Sequence, residues 1–221
     1  MSLLLKFSTA TLAIISLYCF YYGVRHNDKH KELKYLFIYP LASLIQVISL
    51  YVVTEIEFFS AYAKSEVIFS IHLFILIEIS IIYIFFYKID ILNNQIKRGL
   101  LVIYILYMSL YFLRMIFSNE LLIHAKYTYY IQAIIILTPC FIYIYQLFLQ
   151  PPTLNLLEEP TFWLIAGLIV YNTLTLPLYF MLGYFTNNPM SDLIDFININ
   201  GYSLIFFFLL KGYRCNPKII I

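Results

Sequence analysis

Seven apolar stretches, each roughly 20 residues long, fill the chain and leave only short polar breaks between them. As a helix, a run of that length crosses roughly 30 Å of hydrocarbon. The expected fold class is therefore all-α, a seven-helix transmembrane bundle forming one unit over residues 1–221. The bilayer becomes the first partner of the chain.

Composition agrees. Of the residues, 62% are hydrophobic and only 12% are charged, and the mean hydropathy is +0.84. A soluble domain of this size carries far more charge. The net charge of +2 comes from a few basic residues at span ends. Once the spans are removed no basic surface remains, so nucleic acid is not an expected partner. The 22 tyrosines include Tyr21, Tyr22, Tyr87, Tyr129 and Tyr130 at span ends, where they read as interfacial belts. Cys19, Cys140 and Cys215 lie at different expected depths, so no disulfide is expected among them. There is no Cys/His spacing for a metal. The first span lacks a basic leader and a small-residue cleavage site, and reads as a retained helix.

The spans are expected at about Leu3–Gly23, Tyr35–Thr54, Glu66–Tyr87, Gly99–Phe117, Tyr129–Leu149, Thr161–Phe185 and Leu193–Tyr213. Pro151 and Pro152 stop the fifth, because proline cannot continue the hydrogen-bond ladder. Short connections make successive helices antiparallel neighbours. Arg25, Lys29, Lys31, Lys34, Lys88, Lys97, Arg98, Lys211, Arg214 and Lys218 fall on one side, and Lys6, Lys64, Arg114 and Lys126 on the other. The positive-inside rule makes the first side cytoplasmic, with the N-terminus outside and the C-terminus inside. A multi-pass membrane protein is therefore expected. An odd span count does not divide into inverted halves, which weighs against a transporter built on repeats.

Polar residues within the apolar runs are the candidate site. A charge at the bilayer centre costs roughly 2.5–3.5 kcal/mol on insertion scales. Glu78 lies near the midpoint of the third span. It reads either as a ligand contact, proton carrier or switch, or as packing glue hydrogen-bonded to a neighbouring helix. His72 is six residues earlier, about 120° away around the helix. It reads either as a ligand or proton site, or more plainly as a neutral ring bonded to a backbone carbonyl. Arg114 reads as snorkelling to the outer headgroups, or as an anion contact or a pair for Glu78, Asp195 or Glu66. Gln132 is placed at similar depth to Arg114. Asp195 and Asn198 share a face of the seventh helix. Asn198, Asn200 and Ser203 are expected to point inward, since lipid exposure would penalise them. Asn172 and Thr175 extend the polar interior on the sixth helix. By depth, Glu66, His72, Arg114, Gln132, Asp195 and Asn198 fall in the outer half, with Glu78, Asn172 and Asn200 near the middle. The expectation is a polar pocket open to the outside and floored by Glu78.

Lys211 sits at the end of the last span and reads as a snorkelling residue rather than a retinal-type lysine. No cofactor is expected. The chain has no Gly-rich phosphate loop, no His-Glu-x-x-His and no Gly-x-Ser-x-Gly.

The sixth span opens Pro160-Thr161-Phe162-Trp163 and continues to Gly167 and Tyr171. With the mid-span Glu78, this resembles a family of small seven-helix bacterial membrane proteins. Its sixth helix carries Pro-x-Phe-Trp-x-x-x-Gly-x-x-x-Tyr. The resemblance covers nearly the whole chain in span number and loop length, and implies a signalling context, because members often lie beside sensor histidine kinases. It implies no activity. Two positions depart from the family pattern. Gln132 stands where members carry an acid, and Asn172-Thr173 where they carry Ser-Gly. Three functions follow as expectations. The first is a receptor-like sensor with a small or lipidic ligand in its outer half and a separate cytoplasmic or membrane signalling partner, such as a histidine kinase. The others are a proton- or ion-coupled small-solute transporter using Glu78, and an intramembrane lipid-modifying enzyme using Glu78 and His72.

Overall fold

A computed structural model describes residues 3–26, 31–55, 63–117, 125–149, 156–182 and 188–215. Within these, the side chains of residues 3, 50–55, 63–71, 114–117, 125–129, 179–182, 188–192, 194 and 195 are outside the description. The described residues form seven α-helices and no strand: α1 (Leu3–Arg25), α2 (Ile38–Glu55), α3 (Ala63–Lys88), α4 (Asn94–Phe117), α5 (Ala125–Phe148), α6 (Pro160–Leu182) and α7 (Asn188–Arg214). One 3-10 turn, Leu156–Glu158, precedes α6.

Helix starts follow local chemistry. Asn93 caps α4: its Oδ1 accepts from the backbone N–H of Gln95 at 2.7 Å and of Ile96 at 3.1 Å, satisfying donors that have no partner within the helix. The cap starts the fourth helix at Asn94, more than a turn before the span start expected at Gly99. Pro160 opens α6 at a position where a missing N–H costs nothing. Pro139 and Pro177 lie inside α5 and α6 without ending either helix.

Four helices, α1, α4, α5 and α6, are long and apolar enough to cross a membrane. In α7 the apolar run is interrupted by Asn198, Asn200 and Lys211. The outer surface is apolar as well. Leu4, Phe7 and Ile14 on α1, Leu110 on α4, Phe148 on α5 and Phe207 on α7 are all exposed. Such a surface is a liability in water and the expected one in lipid.

Helix directions can be read from cross-contacts. On α6 and α7, Tyr171 meets Asn198 and Gly201, Gly167 meets Phe208, and Pro160 meets Gly212. Rising numbers on one helix meet falling numbers on the other, so the two are antiparallel. On α1 and α7, Ser8 meets Asn200, Cys19 meets Phe206 and Gly23 meets Tyr213. These rise together, so α1 and α7 are parallel. Tyr35 meets Lys88 and Tyr39 meets Glu78 across antiparallel α2 and α3.

The main core runs along α7. Ile205, Phe206 and Leu209 are fully buried among Cys19, Tyr39, Cys140, Tyr143 and Leu168. Helix α4 is peripheral. Only 17% of its apolar stretch is buried, against 44% for α6.

Close approach of α6 and α7 depends on Gly201. A Cβ there would lie 2.5 Å from Cδ2 of the Tyr171 ring, inside any tolerable contact. The Tyr171 ring therefore lies directly over the α7 backbone.

Candidate functional site

The centre of α3 reads Leu76-Ile77-Glu78-Ile79-Ser80. Glu78 is 1% exposed, and three other helices direct donors at its carboxyl. Tyr39 on α2 donates its hydroxyl to Oε1 at 2.5 Å. Gln132 on α5 donates Nε2 to Oε2 at 2.6 Å. Tyr202 on α7 donates its hydroxyl to Oε2 at 3.2 Å. Tyr39 is fully buried and Gln132 is 6% exposed, so water is not available to replace the bonds from those two; Tyr202 is half-buried. All three donors are neutral, and no cation contacts Glu78 among the described residues. Negative charge on Glu78 is answered by hydrogen-bond dipoles alone.

The node extends into α6 through aromatic contacts. The Tyr202 ring lies 4.8 Å from that of Tyr171, and the Tyr171 hydroxyl donates to Asn198 Oδ1 at 2.5 Å. The Tyr39 ring meets Phe206 edge-on at 5.3 Å. Helices α2, α3, α5, α6 and α7 therefore share one connected set of side chains with Glu78 at its centre.

Gln132 brings an unusual feature. Its Oε1 is buried and has no hydrogen-bond partner among the described residues. Rotating the amide exchanges Oε1 and Nε2, a choice governed by the hydrogen-bond network. A carboxylate takes the amide N–H, as described here. A neutral carboxylic acid would instead donate to the amide oxygen. The pair has a bonding arrangement for each protonation state of Glu78.

A second polar seam joins α3 to α4. His72 is buried and its Nδ1 bonds the Tyr111 hydroxyl. Ser80 Oγ donates to Leu76 O at 2.6 Å and lies 3.0 Å from the Tyr104 hydroxyl. The Tyr83 and Tyr104 rings stack at 4.5 Å. Tyr104, Tyr107 and Tyr111 recur at helical spacing, which places them on one face of α4.

The expected site residues separate into groups. Glu78 and Gln132 are bonded to each other, so Gln132 stands level with Glu78 rather than above it in an outer half. His72 bonds a tyrosine hydroxyl where a backbone carbonyl was expected. Asn172 is buried but donates to Leu168 O one turn back, at 2.8 Å, and Thr175 donates to Tyr171 O at 2.9 Å. Both satisfy their own helix rather than enlarging the node. Asn198 joins through Tyr171. Asn200 is exposed, and bonds Phe196 O at 2.7 Å and Ser8 Oγ at 3.2 Å. The expectation that it points inward is corrected. Residues two apart on a helix lie about 200° apart, so Asn198 and Asn200 cannot both face the node. The side chains of Arg114, Asp195 and Glu66 lie outside the described residues, and with them half of the residues expected around the outer pocket.

Tyr39 and Tyr202 are the partners of Glu78 that sequence reasoning missed. Tyrosine is too frequent here to stand out. One signal was available: Tyr202 lies four residues after Asn198, on the same helix face. Among the described residues, no group of three or more His, Cys, Asp or Glu side chains could hold a metal.

No family model, curated protein or solved structure matches the chain.

Proposed function

We propose that the chain is a receptor-like membrane sensor whose switch is the Glu78 node. The observation that carries this reading is that one buried carboxyl takes neutral donors from three neighbouring helices. A small or lipidic ligand that competes for one donor changes the packing of several helices at once, because Glu78, Tyr39 and Gln132 are buried and cannot turn to water. The signal passes to a separate cytoplasmic partner, such as a histidine kinase. This is consistent with the resemblance of the Pro160–Tyr171 segment to kinase-associated membrane proteins. In this reading all seven helices span a bacterial inner membrane, with the N-terminus outside and the basic ends inside.

The test is thermal stability of the purified full chain in detergent, wild type against Glu78→Gln, screened with small metabolites and lipids. A ligand that raises the Tm of wild type but not of Glu78→Gln supports the switch. Ligand shifts of equal size in both proteins refute it.

A second reading, a proton-coupled small-solute transporter, is favoured by one observation. The partnerless Gln132 Oε1 offers neutral Glu78 an acceptor, so the pair can serve both protonation states. Solute flux into proteoliposomes driven by a pH gradient, and lost in Glu78→Gln, would favour transport over sensing. The lipid-modifying enzyme gains no comparable support, since the three partners of Glu78 do not include His72.

A further inference from the structure

The ends of α2 and α3 enclose a groove of about 110 Å³, separate from the Glu78 node. Ile38, Ile81, Ile84 and Phe85 form its apolar trough, and Glu32, Tyr35 and Lys88 stand at the helix ends around it. From Ile81 to Lys88 the trough follows α3 for about 10 Å, at about 1.5 Å per residue. Ile38 and Ile84 are exposed, so it opens toward the surrounding lipid.

The polar end is unusual. The Lys88 ammonium lies 3.8 Å from the centre of the Tyr35 ring. The flat face of an aromatic ring attracts a cation yet leaves the outward-facing N–H groups of the ammonium unused. Glu32 makes no described hydrogen bond or ion pair. A cation and a carboxylate thus line one groove without neutralising each other. Below them the wall is purely apolar.

We propose that this groove is a binding site for an aminophospholipid such as phosphatidylethanolamine. The phosphate takes the Lys88 ammonium, and the lipid's primary ammonium donates to the Glu32 carboxylate. The first methylenes of one acyl chain lie along Ile38, Ile81 and Ile84. Two opposite charges favour a zwitterion over an anionic lipid, for which Glu32 is repulsive. They also favour a primary ammonium over choline, which has no N–H to donate.

The test uses the full chain, purified and delipidated, with native mass spectrometry after exposure to equimolar phosphatidylethanolamine, phosphatidylcholine and phosphatidylglycerol. Wild type is expected to retain phosphatidylethanolamine over either competitor by on the order of tenfold, the scale of one charge-assisted contact. Glu32→Gln is expected to abolish the preference over phosphatidylcholine. Ile84→Trp, which fills the trough, is expected to lower retention of all three. Leu110→Trp, on the exposed face of α4, is expected to change nothing. Glu32 lies in a surface turn, so Glu32→Gln remains informative if Lys88 variants fail to fold. Equal retention of the three lipids by wild type, preference for phosphatidylglycerol, or an unchanged preference in Glu32→Gln each overturns the proposal.

Discussion

Replacing Tyr39 with phenylalanine removes one oxygen from the centre of the bundle and nothing else. The ring keeps its edge-on contact with Phe206 at 5.3 Å, so no cavity term arises. What is lost is the 2.5 Å bond to Glu78 Oε1, the only bond described for that oxygen. With Glu78 at 1% and Tyr39 at 0% exposure, water does not replace it. Hydrogen bonds to charged groups contribute about 1.5–3 kcal/mol in water-soluble proteins. Bonds between membrane helices average about 0.6 and reach about 1.7 kcal/mol. The site lies at the strong end of the second range, so Tyr39→Phe is expected to cost about 1–2 kcal/mol. Tyr202→Phe is the internal control. Its bond is 3.2 Å long, and Oε2 keeps the 2.6 Å bond from Gln132. It should cost about 0.5 kcal/mol. The assay is reversible unfolding in mixed micelles, with a double-mutant cycle of Tyr39→Phe and Glu78→Met. The cycle isolates the pair, and its coupling energy should carry most of the cost of Tyr39→Phe. A coupling energy near zero, or a Tyr202→Phe cost equal to that of Tyr39→Phe, refutes the view of Glu78 as the point that ties these helices together.

Three further outcomes are expected. Gly201→Ala pushes a methyl into the Tyr171 ring and should destabilise by about 1–3 kcal/mol, while Gly99→Ala, which meets nothing within 4 Å, should be neutral or stabilising by up to about 1 kcal/mol; equal unfolding midpoints for the two would contradict the α6–α7 packing. Asn93→Ala removes the cap of α4 and should cost about 0.5–2 kcal/mol, read as a lower Tm; an unchanged Tm would mean that the cap contributes nothing. Cys19 and Cys140 are fully buried and Cys215 is partly exposed, so a membrane-impermeant maleimide should label Cys215 alone, and in spheroplasts only after lysis if the C-terminus is cytoplasmic. Burial pushes the Cys215 thiol above its ordinary pKa, with Lys211 opposing. Since the thiolate is the nucleophile, labelling should be slow at pH 7 and quicken about tenfold per pH unit below that raised pKa. Labelling before lysis would reverse the orientation.

Much of the fold was legible because bilayer physics leaves a long apolar run few alternatives. Each expected stretch coincides with a helix to within a few residues. The starts of the fourth and seventh helices differed most; at the fourth, the Asn93 cap was not read as a helix signal. The site was legible only in part. Glu78 stood out because an acid in an apolar run is costly. Tyr39 and Tyr202 did not: Tyr39 is near a span start, where a tyrosine also reads as serving a headgroup, and mid-span Tyr202 is one of 22 tyrosines. Depth counting along single helices placed Gln132 too far from Glu78, since it carries no information on how far α5 is shifted against α3.

The sequence by itself determined the class of structure: helices of membrane-spanning length, apolar on their outer faces, with one acid in the middle of the third. Hydrophobicity and helix length are local quantities, and they suffice for that. Only the tertiary structure decided that Glu78 is met by Tyr39, Gln132 and Tyr202, that Asn172 and Thr175 turn back on their own helix, and that Asn200 lies at the exposed edge between α1 and α7 rather than in the node. Each of these depends on the rotation and axial shift of one helix against another. Those are set by side-chain packing between segments distant in sequence, such as the Tyr171 ring over Gly201, and no periodicity within a single helix records them.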